Sequence, residues 1–93
     1  MSANLALSRG ARAELDNIST YFRALSPNAA ENVLRDIEDV FRTLEIFPNV
    51  GMLSPRGTLR RFVSARYRFK IVYSVEGDTI LVTAIYRHQN REF

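Results

Sequence analysis

Positively charged side chains gather in the second half of this chain, where they are the groups with the clearest chemistry. Residues 1–47 contain five Arg and seven Asp or Glu, a balance of −2, whereas residues 48–93 contain seven Arg, one Lys and three acids, a balance of +5. The planar guanidinium fork suits phosphate and carboxylate partners. The asymmetry therefore indicates an anionic partner for the second half. The candidate contact residues are Arg60, Arg61, Arg66, Arg68, Lys70, Arg87, His88 and Arg91.

His88 is the only histidine of the chain and stands at the end of a strand-like segment. A lone imidazole can act as a general acid or base near neutral pH. A surface or packing role is the alternative, and the cationic neighbours of His88 disfavour a second positive charge there. The sequence contains no phosphate-binding glycine loop and no Ser/His/Asp or Cys/His nucleophile set. A catalytic role therefore rests on the imidazole alone.

Composition predicts one domain, residues 1–93, with enough apolar side chains for a packed core. The absence of cysteine excludes disulfides and thiolate ligands, and one His among scattered carboxylates argues against a structural metal site. No metal and no cofactor is predicted. The first residues lack the pattern of a signal peptide, and no apolar run reaches the roughly 20 residues that span a bilayer. We therefore expect a cytoplasmic protein without a membrane segment.

Two amphipathic helices are predicted in the first half, because hydrophobic residues recur there at helical spacing. Ser8 is suited to cap the first helix, and Ser26-Pro27 is suited to begin the second. The first apolar stripe comprises Ala11, Leu15, Ile18, Phe22 and Leu25, and the second comprises Ala30, Val33, Leu34, Ile37, Val40, Phe41, Leu44 and Phe47. Almost no linker separates the two stripes, so we expect an antiparallel helical hairpin.

Strands are predicted on both sides of the helices. A short first strand covers residues 4–7, a loop of about ten residues follows the second helix, and residues 59–64, 67–75 and 79–87 alternate with period two. The turn between the last two strands contains Gly77. In the middle strand Phe69, Ile71, Tyr73 and Val75 share one face, and Arg68, Lys70, Val72 and Ser74 share the other; in the last strand Ile80, Val82 and Ala84 alternate with Leu81 and Ile85.

The predicted fold class is α+β, with the order β-α-α-β-β-β. The helical hairpin covers one face of an antiparallel sheet, and the other face carries Arg and Lys. These cations can grip the phosphates of RNA or DNA, seat an acidic protein segment, or form a solvated face that keeps the protein soluble. Because the uncovered face of so small a sheet is large, we favour a partner.

Four segments in this order resemble the ParE-type toxins of bacterial type II toxin–antitoxin modules, within the RelE/ParE superfamily. They are LSRGARAELDNISTYF, SPNAAENVLRDIEDVFRTLEIFPNVG, LRRFVSARYRFKIVYSVEGD and the closing IYRH. The resemblance covers nearly the whole chain. Ala65 stands where such toxins often have Gly before the Arg-Tyr pair, and the tail that ends at Phe93 lies in a part that varies among toxins with different targets.

The resemblance implies a toxin that a cognate antitoxin holds inactive. ParE-like toxins bind DNA gyrase and stabilise a broken-DNA intermediate, which requires no catalysis by the toxin. The eight candidate residues would then contact the target or the antitoxin. The antitoxin is expected to be ParD-like, acidic and partly disordered in its binding segment, and to form a hetero-oligomer with the toxin.

The alternative that the resemblance implies is a RelE-like, ribosome-dependent mRNA endoribonuclease. Such an enzyme uses basic residues to stabilise phosphate charge in the transition state. Its catalytic set would be His88, Arg66, Arg68 and Arg87, with Arg60 and Arg61 as further cations. A third hypothesis is a nucleic-acid-binding or adaptor module without toxicity.

Overall fold

The computed structural model describes residues 3–88, which form two helices and one five-stranded sheet. The elements are β1 (Asn4–Leu7), α1 (Arg9–Leu25), α2 (Pro27–Ile46), β2 (Met52–Leu53), β3 (Arg60–Val63), β4 (Lys70–Glu76) and β5 (Thr79–Tyr86). The sheet order is β1-β5-β4-β3-β2. The helices pack on one face of the sheet through a common apolar core. The predicted α+β class and the helical hairpin are therefore confirmed.

Ser26 joins the two helices without any linker. Its backbone amide donates to the Phe22 carbonyl at the end of α1, at 3.0 Å, and its hydroxyl accepts from the Ala29 amide at 2.9 Å. Pro27 follows as the first residue of α2. Ser8 caps α1 in the same way, accepting from the Ala11 amide at 3.0 Å. The two serine hydroxyls satisfy amides that a helix start otherwise leaves unpaired, and the Ser26 amide satisfies a carbonyl at the end of α1.

The members of the predicted apolar stripes are buried or half-buried, except the last member of each stripe. Val33, Ile37, Val40 and Leu44 of α2 are all buried in the core. Leu25 is 63% exposed and Phe47 is 61% exposed, so their placement in the buried stripes was wrong. Both lie at the C-terminal end of a helix, where the stripe continues beyond the part that packs on the sheet.

The sheet is mixed, not wholly antiparallel. The pairs β2–β3, β3–β4 and β4–β5 are antiparallel, whereas β1 runs parallel to β5 in the register Asn4↔Thr79 to Leu7↔Val82. The parallel pair is possible because the helices lie between β1 and the later strands, and parallel strands need a long crossover. The strand β2 lies inside the predicted loop, and two residues are too few to show alternation.

A β-bulge changes which side chains of β5 face the core. Val72 pairs with Ala84 and Tyr73 pairs with Val82, so Thr83 is an extra residue in β5. As a result Val82 and Ile85 are both buried in the core. The predicted strict alternation, which placed them on opposite faces, was wrong beyond Thr83.

No helix within residues 3–88 is long and apolar enough to cross a membrane.

Candidate functional site

Five of the eight candidate residues meet at one end of the sheet. An open cleft of about 480 Å³ is lined by Val63, Arg66, Tyr67, Arg68, Lys70, Arg87 and His88, and we call it the basic cleft. The register of β4 and β5 forms it, because Lys70 pairs with Tyr86 and so lies beside the residues that follow β5. Arg66 and Arg68 come from the turn between β3 and β4. Within the described part of the chain, this lining contains four cations and no carboxylate.

Arg60 and Arg61 do not line the basic cleft. Arg60 lies on the same face of β3 as Phe62, which packs against the core. The Arg60 Nη1 donates to the carbonyls of Asn49 and Gly51, each at 2.9 Å. Arg61 pairs with Val72 and lies on the opposite face of β3. Arg91 lies outside the described residues.

The predicted cationic sheet face is only partly formed. Lys70 and Arg61 lie on the face away from the helices, but Val72 and Tyr86 of the same face are buried. The positive side chains gather instead at the end of the sheet, where the turn between β3 and β4 meets the end of β5. The cationic surface is therefore a cleft and not a flat sheet face.

Buried polar contacts fix the turn at residues 64–69. The Ser64 amide donates to the Phe69 carbonyl at 2.8 Å, and the Phe69 amide donates to the Ser64 hydroxyl at 2.8 Å. Arg68 has a positive φ of 62°, in the left-handed region that side chains rarely adopt. Ala65 therefore needs no glycine in its place, because the left-handed residue of this turn is Arg68. The predicted start of the middle strand at residue 67 was wrong, since β4 begins at Lys70.

Asp36 of α2 holds the same turn from below, and sequence reasoning missed it. Its carboxylate accepts from the Arg66 amide at 3.1 Å and from the Tyr67 amide at 2.8 Å. Its side chain is only 4% exposed. The signal was present, because Asp36 lies three residues after Val33 and four before Val40, on the apolar stripe of α2. A carboxylate at such a position requires a partner in the fold.

The pKa of Asp36 is lowered by these partners. Burial acts to raise the pKa, but the hydrogen bonds from the Ser64 hydroxyl and from the Tyr67 and Arg66 amides, together with the charge of Arg66, outweigh it. The carboxylate is therefore ionised at neutral pH. In that state it accepts both amides of the turn that carries Arg66 and Arg68.

Aromatic rings lie beneath two of the cleft's cations. The guanidinium carbon of Arg66 is 5.4 Å from the centroid of Tyr67, and the ammonium nitrogen of Lys70 is 5.7 Å from the centroid of Tyr86. The face of an aromatic ring attracts a cation through its quadrupole without neutralising the charge. These cations are thus placed by rings and keep their charge for a ligand.

Arg87 has two such rings. Its guanidinium carbon lies 5.0 Å from the centroid of Phe69 and 5.3 Å from that of Phe22. Arg87 and His88 also border a second depression of about 380 Å³ between α1 and the end of β5, which we call the aromatic groove. There Glu14 accepts from the Ile85 amide at 2.9 Å, beyond the point where β1 stops pairing with β5.

The basic cleft is suited to bind oxyanions. Its cations can donate to phosphate or carboxylate groups, and converging charges of one sign raise the local potential. His88 is exposed at the rim. No group of three or more His, Cys, Asp or Glu side chains within residues 3–88 could hold a metal ion.

Comparisons with known proteins bear on the family and the fold of the chain. Residues 5–92 match the family model described as the ParE toxin of the type II toxin-antitoxin system, parDE. A solved structure, a chain of the chromosomal ParDE TA system from P. aeruginosa, is similar with a TM-score of 0.76 and 26% sequence identity; the match covers 95% of this chain and 98% of that chain. A search of curated proteins finds no match.

Proposed function

The chain belongs to the ParE toxin family of type II toxin–antitoxin systems, and we propose that it acts by binding DNA gyrase through the basic cleft. The family model spans residues 5–92, and the similar solved structure is from a ParDE system, so the resemblance found in the sequence is confirmed. The protein is the toxin of such a module and has an antitoxin partner. The target and the contact residues are the parts that we propose.

The observation that carries the proposal is the convergence of Arg66, Arg68, Lys70 and Arg87 on one cleft whose described lining contains no carboxylate. Charges that face a common space repel one another, and an anionic partner relieves that repulsion. A gyrase–DNA complex offers both carboxylates and phosphates. Binding alone is enough to stabilise a cleaved intermediate, so this function requires no general acid or base from the toxin.

A ribosome-dependent endoribonuclease is the second candidate, because the structure gives it one specific support. Arg66, Arg68, Arg87 and His88, the whole catalytic set of that hypothesis, line the same cleft. Arginines there could stabilise a phosphate transition state, with His88 as the acid or base. We rank it second because His88 is the only imidazole available and lies exposed at the rim.

We propose a separate surface for the antitoxin. Five exposed apolar side chains lie close together in sequence at the end of α2 and in the edge strand β2, and we call them the apolar edge: Ile46, Phe47, Val50, Met52 and Leu53. Residues 48–63 contain three Arg and no acid. A second copy of this chain would bring like charges together at this edge, whereas an antitoxin segment with apolar and acidic side chains complements both features.

The loop of the apolar edge is held in a fixed shape. The Tyr73 hydroxyl donates to the Pro48 carbonyl at 2.8 Å and accepts from the Gly51 amide at 2.9 Å. Arg60 adds its two bonds to the carbonyls of Asn49 and Gly51. The exposed apolar side chains are therefore presented on a preorganised backbone, which lowers the entropy lost on binding.

Assays with purified components distinguish the two candidate activities. We expect the wild-type protein to increase the amount of linear DNA that gyrase forms from a supercoiled plasmid, and to leave ribosome-bound mRNA intact. We expect His88→Ala to keep most of the gyrase effect, because the imidazole is not needed for binding. Cleavage of ribosome-bound mRNA that His88→Ala abolishes, with no effect on gyrase, would instead establish the nuclease.

A further inference from the structure

We propose that Phe22 and Phe69 are positioning residues for Arg87, and that they fix its guanidinium as a preformed contact for the target. The inference rests on the proposed function, since it concerns a cation of the basic cleft. It adds residues that the charge pattern does not indicate. Phe22 lies on α1 and Phe69 lies in the turn before β4, and neither ring carries a charge.

The geometry around Arg87 brings three elements together. The two rings lie 5.3 and 5.0 Å from its guanidinium carbon, and they meet each other edge to face with centroids 6.4 Å apart. Phe69 is buried in the core, and its amide donates a hydrogen bond to the Ser64 hydroxyl at 2.8 Å. Tyr21 meets the outer side of Phe22 edge to face at 5.0 Å. The place of Arg87 is therefore set by α1 and by the turn, and not only by the strand that precedes it.

Among the cations of the basic cleft within residues 3–88, Arg87 contacts two aromatic rings, whereas Arg66 and Lys70 each contact one. A long side chain loses rotamer freedom when a ligand fixes it, and prior placement on a rigid surface reduces that loss. A flat guanidinium stacks on a ring and keeps its N–H edge directed outward, which an ammonium cannot do. Arg87 also borders both the basic cleft and the aromatic groove, where an incoming partner can reach it.

The placement is tested directly by NMR of the arginine Nε–Hε groups in ¹⁵N-labelled protein. Two ring faces should move the Arg87 signal away from the signals of exposed arginines. We expect Phe22→Leu to return it toward them, and Phe22→Tyr to keep it displaced because the ring remains. The matched control is Tyr21→Leu, which removes the neighbouring ring that does not lie under Arg87. A wild-type Arg87 signal among those of exposed arginines would overturn the proposal.

The consequence for function is tested with gyrase and with growth. We expect Phe22→Leu and Arg87→Lys each to need about tenfold more protein for half-maximal DNA cleavage by gyrase, as expected for lost preorganisation. Phe22→Tyr and Tyr21→Leu should stay close to wild type. Arg87→Lys leaves the core intact, so it keeps the test valid if Phe22→Leu fails to fold.

Failure of the inference and failure of the gyrase proposal give different results. If wild type has no effect on gyrase, the target is wrong, and the same variants are then compared by growth arrest after induction in a bacterium, which assumes no target. Full potency of both Phe22→Leu and Arg87→Lys in the assay where wild type acts would overturn the positioning role. A wild type inactive in both assays would overturn it as well.

Discussion

At the scale of single residues, Tyr73 shows how one buried hydroxyl organises a loop 22 residues away. Its hydroxyl donates to the Pro48 carbonyl and accepts from the Gly51 amide, both in the segment 47–51 that follows α2. Burial raises the pKa of this hydroxyl, against smaller opposing effects of the Gly51 amide and the charge of Arg60. Tyr73 therefore remains protonated at neutral pH and can donate to Pro48. Tyr73 thus connects β4 to the segment that follows α2 through two hydrogen bonds.

Gly51 is required by the close approach of Tyr73. A Cβ at position 51 would lie 2.6 Å from the Tyr73 Oη and 3.1 Å from the Arg61 carbonyl oxygen. We expect Gly51→Ala to lower the free energy of unfolding by about 1–3 kcal/mol, as for overpacking in a core. Urea unfolding measures the loss.

The control for that prediction is Gly10→Ala in α1, where the nearest atom is the Ser8 Oγ at 3.9 Å. This change should be neutral or stabilising by up to about 1 kcal/mol, since alanine favours helix. In a Tyr73→Phe background the clash with Oη disappears, so Gly51→Ala should be less harmful there. The ring carbon Cε1, 2.9 Å from that Cβ, remains in phenylalanine, so an equal loss in both backgrounds would show that the Tyr73 hydroxyl is not the obstacle.

At the scale of elements, α2 contributes more than an apolar face. It supplies Asp36, which binds two amides of the turn between β3 and β4. Through this contact a helix on one side of the sheet sets the conformation of the turn that carries Arg66 and Arg68. The hairpin therefore fixes the turn that lines the basic cleft, as well as covering the core.

The Asp36 contact predicts a pH dependence of stability. Its pKa is lower in the folded protein than in the unfolded chain, so the stabilisation is present above the ordinary Asp pKa of about 4 and is lost as the pH falls through the lower folded value. We expect Asp36→Asn to lower the free energy of unfolding at pH 7 by about 1.5–3 kcal/mol, because charged hydrogen bonds are lost. The difference between variant and wild type should shrink at pH 3.

Asp39→Asn is the matched control, because Asp39 pairs with Arg42 on the exposed side of the same helix. Exposed pairs contribute about 0–1 kcal/mol, so this variant should stay near wild type at both pH values. Urea titrations at pH 7 and pH 3 give all the comparisons. A loss in Asp36→Asn that is equally large at pH 3 would contradict the assigned role of the ionised carboxylate.

At the scale of the whole molecule, local sequence patterns predicted the helices. The composition of the basic cleft depends on contacts between residues that are far apart in the sequence. The caps at Ser8 and Ser26 lie beside the segments they cap, so the sequence displays them. The extra residue Thr83 and the two-residue strand β2 leave no periodic signal. The meeting of Arg66 with Arg87 depends on the pairing of β4 with β5, which sequence spacing does not contain.

Long-range contacts also explain why the sequence could not separate the cations that line the basic cleft from those that do not. Seven of the eight candidates are Arg or Lys and could not be ranked by residue type, but Arg60 binds two loop carbonyls, and Arg61 lies on another part of the sheet. The register of β3 on β4 and the alternation of side chains along β3 place Arg60 and Arg61 outside the basic cleft. We propose two surfaces for this small toxin, the basic cleft for the target and the apolar edge for the antitoxin.

We propose that the basic cleft is the contact for the target. The most direct measurement is the affinity of purified protein for the gyrase–DNA complex, at several salt concentrations, with the charge-reversed variant Arg68→Glu. Its control is Arg42→Glu on the exposed face of α2, which makes the same change of net charge away from the cleft. We predict that Arg68→Glu weakens binding at least about tenfold more than Arg42→Glu and reduces its salt dependence. Equal affinities for the two variants would contradict the account.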